Sequence, residues 1–176
     1  MTDQEILKLY REGGREAAFR LLVQTYKERL YWHIRRMVLD HDDADDCLQN
    51  TFLKAWRSLD GFRGDARLYT WLYRIATNET LTFLSNQQKR GEYVGLDAAD
   101  RLSSDTWFDG DRVQAALHKA IAKLPPKQKA VFNLRYFEEM PYEQISRVLE
   151  TSEGALKASY HHAYEKVKAW MQAALD

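Results

Sequence analysis

With 176 residues the chain has room for one ordinary domain or two small ones, and a hydrophobic content of 45% with ten tyrosines, seven phenylalanines and five tryptophans suffices to pack cores. Its 26 basic and 26 acidic residues cancel, which at first sight argues against a polyanionic partner, and no apolar run nears the roughly 20 residues of a bilayer crossing, so no membrane insertion is expected. A single cysteine, Cys47, leaves no internal disulfide and suits a reducing cytoplasm, and the opening MTDQEILKLYREGG lacks the basic-then-apolar profile of a secretory signal.

The neutral total hides a pattern. Residues 1–90 carry 15 Lys/Arg against 13 Asp/Glu, residues 91–111 carry 1 against 6, and residues 112–176 carry 10 against 7. Two mildly basic blocks flank an acidic strip.

In chain order, Thr2-Asp3-Gln4-Glu5 forms a candidate capping box for a short helix that Gly13-Gly14 would end. From Arg15 to Leu39, Phe19, Leu22, Val23, Tyr26, Leu30, Ile34 and Val38 recur close to the helical period. A helix over about 43–59 follows, with Asp42, Asp43, Asp45 and Asp46 in its first turn, where the helix dipole favours negative charge. Asp46, Gln49, Asn50 and Lys54 would share its outer face while Phe52, Leu53 and Trp56 look inward. Gly61 and Gly64 break the chain, and Leu68, Leu72, Ile75, Leu81 and Leu84 mark another helix to about Gln87.

GEYVGLDAADRLSSDTWFDGD, residues 91–111, has three glycines, six acids and no sustained period, and reads as a linker in which Trp107 and Phe108 suggest a docked part. Helices resume over about 112–123 and, after Pro125-Pro126, over about 127–138. The expected architecture is all-α: two small helical domains, 1–90 and 112–176, joined by the acidic linker.

The C-terminal stretch MPYEQISRVLETSEGALKASYHHAYEKVKAW carries the strongest local signal. Tyr142, Ile145, Val148 and Leu149 give a short helix one apolar face, and Ser152 is a good N-cap for the next. In that second helix Leu156, Tyr160, Ala163, Val167 and Trp170 form a single apolar stripe. A short helix, a tight polar turn and a longer striped helix describe a helix-turn-helix, with Glu153, Lys157, Ser159, His161 and His162 left to face a major groove; a plain helical hairpin is the alternative. His161 and His162 are adjacent and project about 100° apart, so they make a poor chelating pair.

DDADDCLQNTFLKAWRSLDGFRGDARLYTWLYRIATNE resembles region 2 of bacterial sigma-70 family factors, and LPPKQKAVFNLRYFEEMPYEQISRVLETSEGALKAS resembles their region 4. The match is to the small two-domain members, the extracytoplasmic function (ECF) group, and it spans about residues 5–90 and 112–172. The resemblance implies a sigma factor that binds core RNA polymerase, through the β′ clamp helices and the β flap, and directs it to promoter DNA. It implies a polymerase contact at Asp45, Asp46, Gln49, Asn50 and Lys54. It implies −10 recognition and melting by Phe62, Arg63, Arg67, Tyr69, Trp71, Tyr73, Arg74 and Asn78, with Tyr69, Trp71 and Tyr73 offering flat faces to unpaired bases. It implies −35 recognition by Ser152, Glu153, Ala155, Lys157, Ala158, Ser159, His161 and His162. An anti-sigma protein is a further implied partner, and no cofactor, metal or catalysis is expected.

Two departures bear on this. Asn50 stands where many relatives carry an acid, and Ser159, His162 and Tyr164 stand where relatives often carry arginines, which implies less generic phosphate affinity and an unusual −35 preference. The competing readings are a helix-turn-helix regulator of duplex DNA that needs no polymerase, and an enzyme using Asp and His. The first needs neither an acidic clamp-like helix nor an aromatic melting segment. The second needs convergent ligands, whereas the histidines are scattered at 33, 41, 118, 161 and 162.

Overall fold

Short-range signals set most helix ends. The computed structural model describes residues 2–64, 66–91 and 111–176. Helix α1 (Asp3–Arg11) starts on the expected capping box: the Glu5 amide donates to Thr2 Oγ1 at 3.2 Å and the Thr2 amide donates to Glu5 Oε2 at 2.7 Å. Helix α2 (Arg15–Val38) runs through the predicted stripe and stops where Leu39 takes a left-handed conformation with φ 69°. That conformation is costly for leucine, and the burial of its side chain helps to hold it there.

Asp40 then caps helix α3 (His41–Ser58), accepting the Asp43 amide at 3.1 Å. The helix therefore starts two residues earlier than predicted, and Asp45 and Asp46 fall in its second turn. A 3₁₀ turn (Leu59–Gly61) leads to helix α4 (Leu68–Lys89).

Helices α2, α3 and α4 form a bundle, with α1 laid along α2. The face of α3 turned inward is made of small residues, Ala44, Cys47, Thr51 and Ala55, which allow close approach to its neighbours. Burial pushes the Cys47 thiol up to about 12, so it is an inert core group. His33 is buried in the same bundle: its Nε2 lies 2.9 Å from Thr77 Oγ1 and its ring packs 5.3 Å from that of Tyr73.

Burial, with Arg36 adding to it, lowers the His33 imidazole to about 3 from an ordinary value of 6.5. The unfolded chain therefore takes up a proton near pH 6.5 that the folded chain refuses. Stability is expected to fall as pH drops from 6.5 toward 3, with a slope from this group of about 1.4 kcal/mol per pH unit. Urea denaturation at pH 7 and pH 5 checks this, and His33→Asn should remove about half of the histidine-linked difference, because burial also lowers His118, to about 4.

The C-terminal helices are α5 (Arg112–Ala122), α6 (Pro126–Tyr136), α7 (Tyr142–Leu149) and α8 (Glu153–Leu175). Asp111 caps α5 through the Gln114 amide at 3.0 Å, and Pro126 opens α6 at a first-turn position where its missing N–H costs nothing. Helices α5, α6 and α7 all pack on α8. Among the described residues there is no strand, and the all-α expectation holds. Nineteen residues of the expected linker, 92–110 with Trp107 and Phe108, lie outside the described residues.

The two sets of helices also meet. Helix α7 lies against α4, and α5 and α6 touch α2. One hydrophobic cluster runs across both, joining Leu22, Leu30, Leu72 and Tyr73 with Leu134, Met140, Ile145 and Val148. A second cluster, of Leu117, Ile121, Leu124, Phe132, Ala163 and Val167, belongs to the C-terminal helices.

Candidate functional site

Three surfaces carry the residues singled out from the sequence. The first is the outer face of α3. Asp46, Gln49, Asn50 and Lys54 are exposed there and Asp45 is half-buried, with Gln49 Nε2 donating to Asp45 Oδ2 at 3.0 Å. Lys54 is tied to Glu79 of α4 by an ion pair. Phe52 and Trp56 turn inward as expected, with ring centres 6.3 and 5.1 Å from that of Phe19.

Leu53 does not turn inward. It is 52% exposed and sits one turn beyond Gln49 and Asn50, so the face is an apolar residue ringed by polar ones. The inward reading of Leu53 failed because helical spacing sets it opposite the buried stripe of Ala44, Cys47, Thr51 and Ala55, whereas Phe52 and Trp56 fall on the flank that meets Phe19. Among the described residues no group of three or more His, Cys, Asp or Glu side chains converges to hold a metal.

The second surface lies at the start of α4. Phe62 and Trp71 meet edge to face with centres 5.4 Å apart. They line a cleft of about 370 Å³ together with Arg63 and Arg74, and α7 contributes Arg147 and Glu150 to its wall. Arg63, Arg67, Arg74 and Asn78 are exposed, and Phe62, Tyr69 and Trp71 are half-buried. Tyr73 behaves differently. It is fully buried in the shared core, so in this conformation it offers no face to a base. Helical spacing explains the error: Tyr73 follows Leu72 and precedes Ala76, all on the buried side of α4.

The third surface is the helix-turn-helix. Glu150 ends α7 in the left-handed region with φ 51°, and Ser146 Oγ donates to the Thr151 carbonyl at 2.7 Å, which fixes the turn. Ser152 caps α8 by accepting the Ala155 amide at 3.2 Å. Leu156, Ala163 and Val167 are buried, whereas Tyr160 and Trp170 are partly so. Glu153, Ala155, Lys157, Ala158, His161 and His162 are exposed, with Ser159 half-buried at their edge. The Lys157 ammonium rests 5.8 Å from the Tyr142 ring centre, so its stem lies back over α7.

Sequence reasoning missed the polar contacts that join the two halves. Arg29 of α2 pairs with Glu138 at 3.0 Å, Lys129 Nζ donates to the Met37 carbonyl at 3.3 Å, Thr70 Oγ1 donates to Gln144 Oε1 at 2.8 Å, and Arg74 pairs with Glu150. No periodicity signals such pairs, because each joins residues more than 70 positions apart.

A helix-turn-helix with an exposed polar recognition face places the chain, by architecture, among DNA-binding proteins. Comparison with known proteins narrows the class. Residues 22–90 match Sigma-70 region 2 and residues 114–167 match Sigma-70, region 4. The RNA polymerase sigma-H factor of Pseudomonas aeruginosa is 31% identical over 98% of this chain and 95% of its own. The ECF RNA polymerase sigma-E factor of Haemophilus influenzae is 29% identical over 98% and 96%.

Among solved structures, that of CnrH in complex with the cytosolic domain of CnrY aligns with a TM-score of 0.72 at 25% identity, covering 98% of this chain and 99% of that one. The sigma factor RpoE, in complex with the anti-sigma factor NepR from Bartonella quintana, shares the fold with a TM-score of 0.69 at 22% identity over 88% and 96%. The chain belongs to the sigma-70 family of RNA polymerase sigma factors, in its extracytoplasmic function group. Its function is that of a sigma factor, promoter-directed initiation of transcription by core RNA polymerase.

Proposed function

We propose a division of that function over the three surfaces, with residues 1–90 and 112–176 as its two domains and 91–111 as the linker between them. The outer face of α3, with Asp45, Asp46, Gln49, Asn50 and Lys54, docks on the β′ clamp helices of core polymerase, and Leu53 joins it as an apolar centre. The observation that carries this is the arrangement itself: Leu53 stands exposed within a ring of polar side chains, the anatomy of a protein-binding patch. The apolar groove along α8, lined by Phe132, Tyr136, Tyr164, Val167 and Met171, suits the β flap. The chain works in the cytoplasm, performs no catalysis of its own, and has an anti-sigma protein as a further partner.

At −10, Arg63, Arg67 and Arg74 meet the backbone, Phe62 and Trp71 border a cleft sized for an unstacked base, and the half-buried Tyr69 adds a further aromatic face at the start of α4. Asn78, exposed one turn beyond Arg74, reaches the same strand. Tyr73 supports this surface from beneath. Asn78→Ala is expected to spare holoenzyme assembly and reduce permanganate-reactive thymines at −10, with a pre-melted bubble template restoring transcription. No rescue by the bubble would place Asn78 outside strand opening.

At −35, the first turns of α8 enter the major groove. Ser152 and the first free amides of α8 hold a phosphate, and Lys157 and His161, four residues apart, reach base edges, flanked by Glu153, Ala155, Ala158, Ser159 and His162. Lys157→Ala should cost about 1–3 kcal/mol at one or two base pairs. Competition binding against a library randomised at −35 reads this. A uniform loss, with the salt slope lower by about one, would make Lys157 a phosphate contact instead.

A further inference from the structure

The recognition face of α8 is short of fixed positive charge. From Glu153 to His162 the helix carries one acid, Glu153, and one base, Lys157, so the two cancel. The Lys157 ammonium lies back over α7, 5.8 Å from the Tyr142 ring centre. Duplex binding draws on cations set against phosphates, and a face of zero fixed charge lacks that attraction. The other groups there that can carry a positive charge are His161 and His162.

Both imidazoles are exposed, with ring centres 5.8 Å apart, and neither has a hydrogen bond or ion pair among the described residues. They stand three and four residues after Ala158, on either side of the line that points away from buried Leu156, Ala163 and Val167. Gly154, Ala155 and Ala158 are exposed and small, which lets a duplex approach the helix closely and brings side chains as short as imidazoles within reach of it.

The charged neighbours on α8 are Lys157, one turn before His161, Glu165, one turn after both, and Lys166, one turn after His162. Lys166 is drawn to Gln128 of α6, at 3.1 Å. Charges on the helices packed around α8 are engaged elsewhere. The Arg135 guanidinium of α6 lies 4.7 Å from the Tyr142 ring centre, Glu150 at the end of α7 pairs with Arg74, and Lys123 beyond α5 lies 5.4 Å from the Trp170 ring centre. Among the described residues no ion pair competes with phosphate for either imidazole.

Phosphate favours the protonated form of an imidazole that meets it, because opposite charge stabilises the cation. Imidazoles ordinarily titrate near pH 6.5, so such a change falls close to neutrality. We propose, on the −35 assignment above, that duplex binding by α8 is coupled to proton uptake at His161 and His162. Each takes a proton from solvent on meeting the duplex; the new N–H of His162 donates to a phosphate oxygen and that of His161 to a base-edge acceptor. The face then carries a net charge of +2, where its fixed charges sum to zero. The complex holds more protons than the separate partners, so affinity rises as pH falls and is lost as pH rises.

The test uses the full chain and a fluorescein-labelled twenty-four-base-pair duplex of mixed sequence, read by anisotropy at pH 6 and pH 8 over a range of KCl. The parent chain is expected to bind about tenfold tighter at pH 6, since each proton taken up gives up to about tenfold per pH unit. Its salt slope at pH 6 should be steeper by about one to two. His161→Gln with His162→Gln, polar but not titratable, should bind at both pH values as the parent does at pH 8. His161→Arg with His162→Arg should bind at both as tightly as the parent does at pH 6. His41→Gln, which removes an exposed imidazole from α3, should keep the parent's pH difference. Ala158→Glu sets a carboxylate in the middle of the face and should abolish binding at either pH.

A pH difference that survives in the double glutamine variant overturns the proton coupling and leaves the −35 assignment standing. So does a parent chain that shows no pH difference while Ala158→Glu abolishes its binding. An Ala158→Glu chain that binds as well as the parent removes the −35 assignment, and the proton coupling with it.

Discussion

Asp46→Arg is expected to abolish binding to core polymerase while leaving the melting temperature unchanged. Asp46 is exposed on the outer face of α3 and makes no ion pair within the described residues, so reversing its charge removes nothing that holds the fold. What changes is the sign of the charge beside Gln49, Asn50 and Leu53, on a face proposed to meet basic side chains. A like charge at such a contact costs several kcal/mol. Leu53→Asp should act in the same direction for a different reason, the loss of an apolar anchor that is 52% exposed in the free chain. Pull-down of β′ with each variant, beside a thermal melt, reads both properties. Undiminished pull-down by the Asp46→Arg chain would remove the assignment of this face.

Tyr73→Ala is expected to cost roughly 3–5 kcal/mol of stability, because it empties a fully buried aromatic site. The loss should be shared by both halves, since Tyr73 lies in the cluster that joins Leu72 and Ala76 of α4 with Met140, Ile145 and Val148 of the C-terminal helices. Asn78→Ala, five residues further along α4 and exposed, should leave stability within about 0.5 kcal/mol of the parent. Chemical denaturation separates the two variants. A Tyr73→Ala chain that unfolds at the same urea concentration as the parent would contradict the burial described above.

Helix positions and the helix-turn-helix were legible in the sequence because they rest on local rules. The Thr2/Glu5 box, Ser152 as a cap, Pro126 at a first turn and the Leu156, Ala163, Val167 stripe each act within a few residues. Leu53 and Tyr73 were misread because residue type was a poor guide to facing: a large apolar side chain points out on a helix whose inner face is made of small residues, and an aromatic proposed for bases is a core residue. Asp40 was overlooked as the cap of α3 beside four more conspicuous aspartates. The contacts between the halves, Lys129 on Met37 and Glu138 on Arg29, were out of reach, since only the packed fold brings such distant residues together.

Promoter selection is what this chain confers on core RNA polymerase. Run-off transcription with purified core polymerase, the full chain and genomic fragments, followed by mapping of start sites, tests it most directly. Starts are expected only when the chain is present, each preceded by shared −10 and −35 sequences, with Asp46→Arg silencing all of them. Transcripts whose start sites are the same with and without the chain, or a chain that binds its duplex sites equally well without polymerase and initiates nothing, would contradict it.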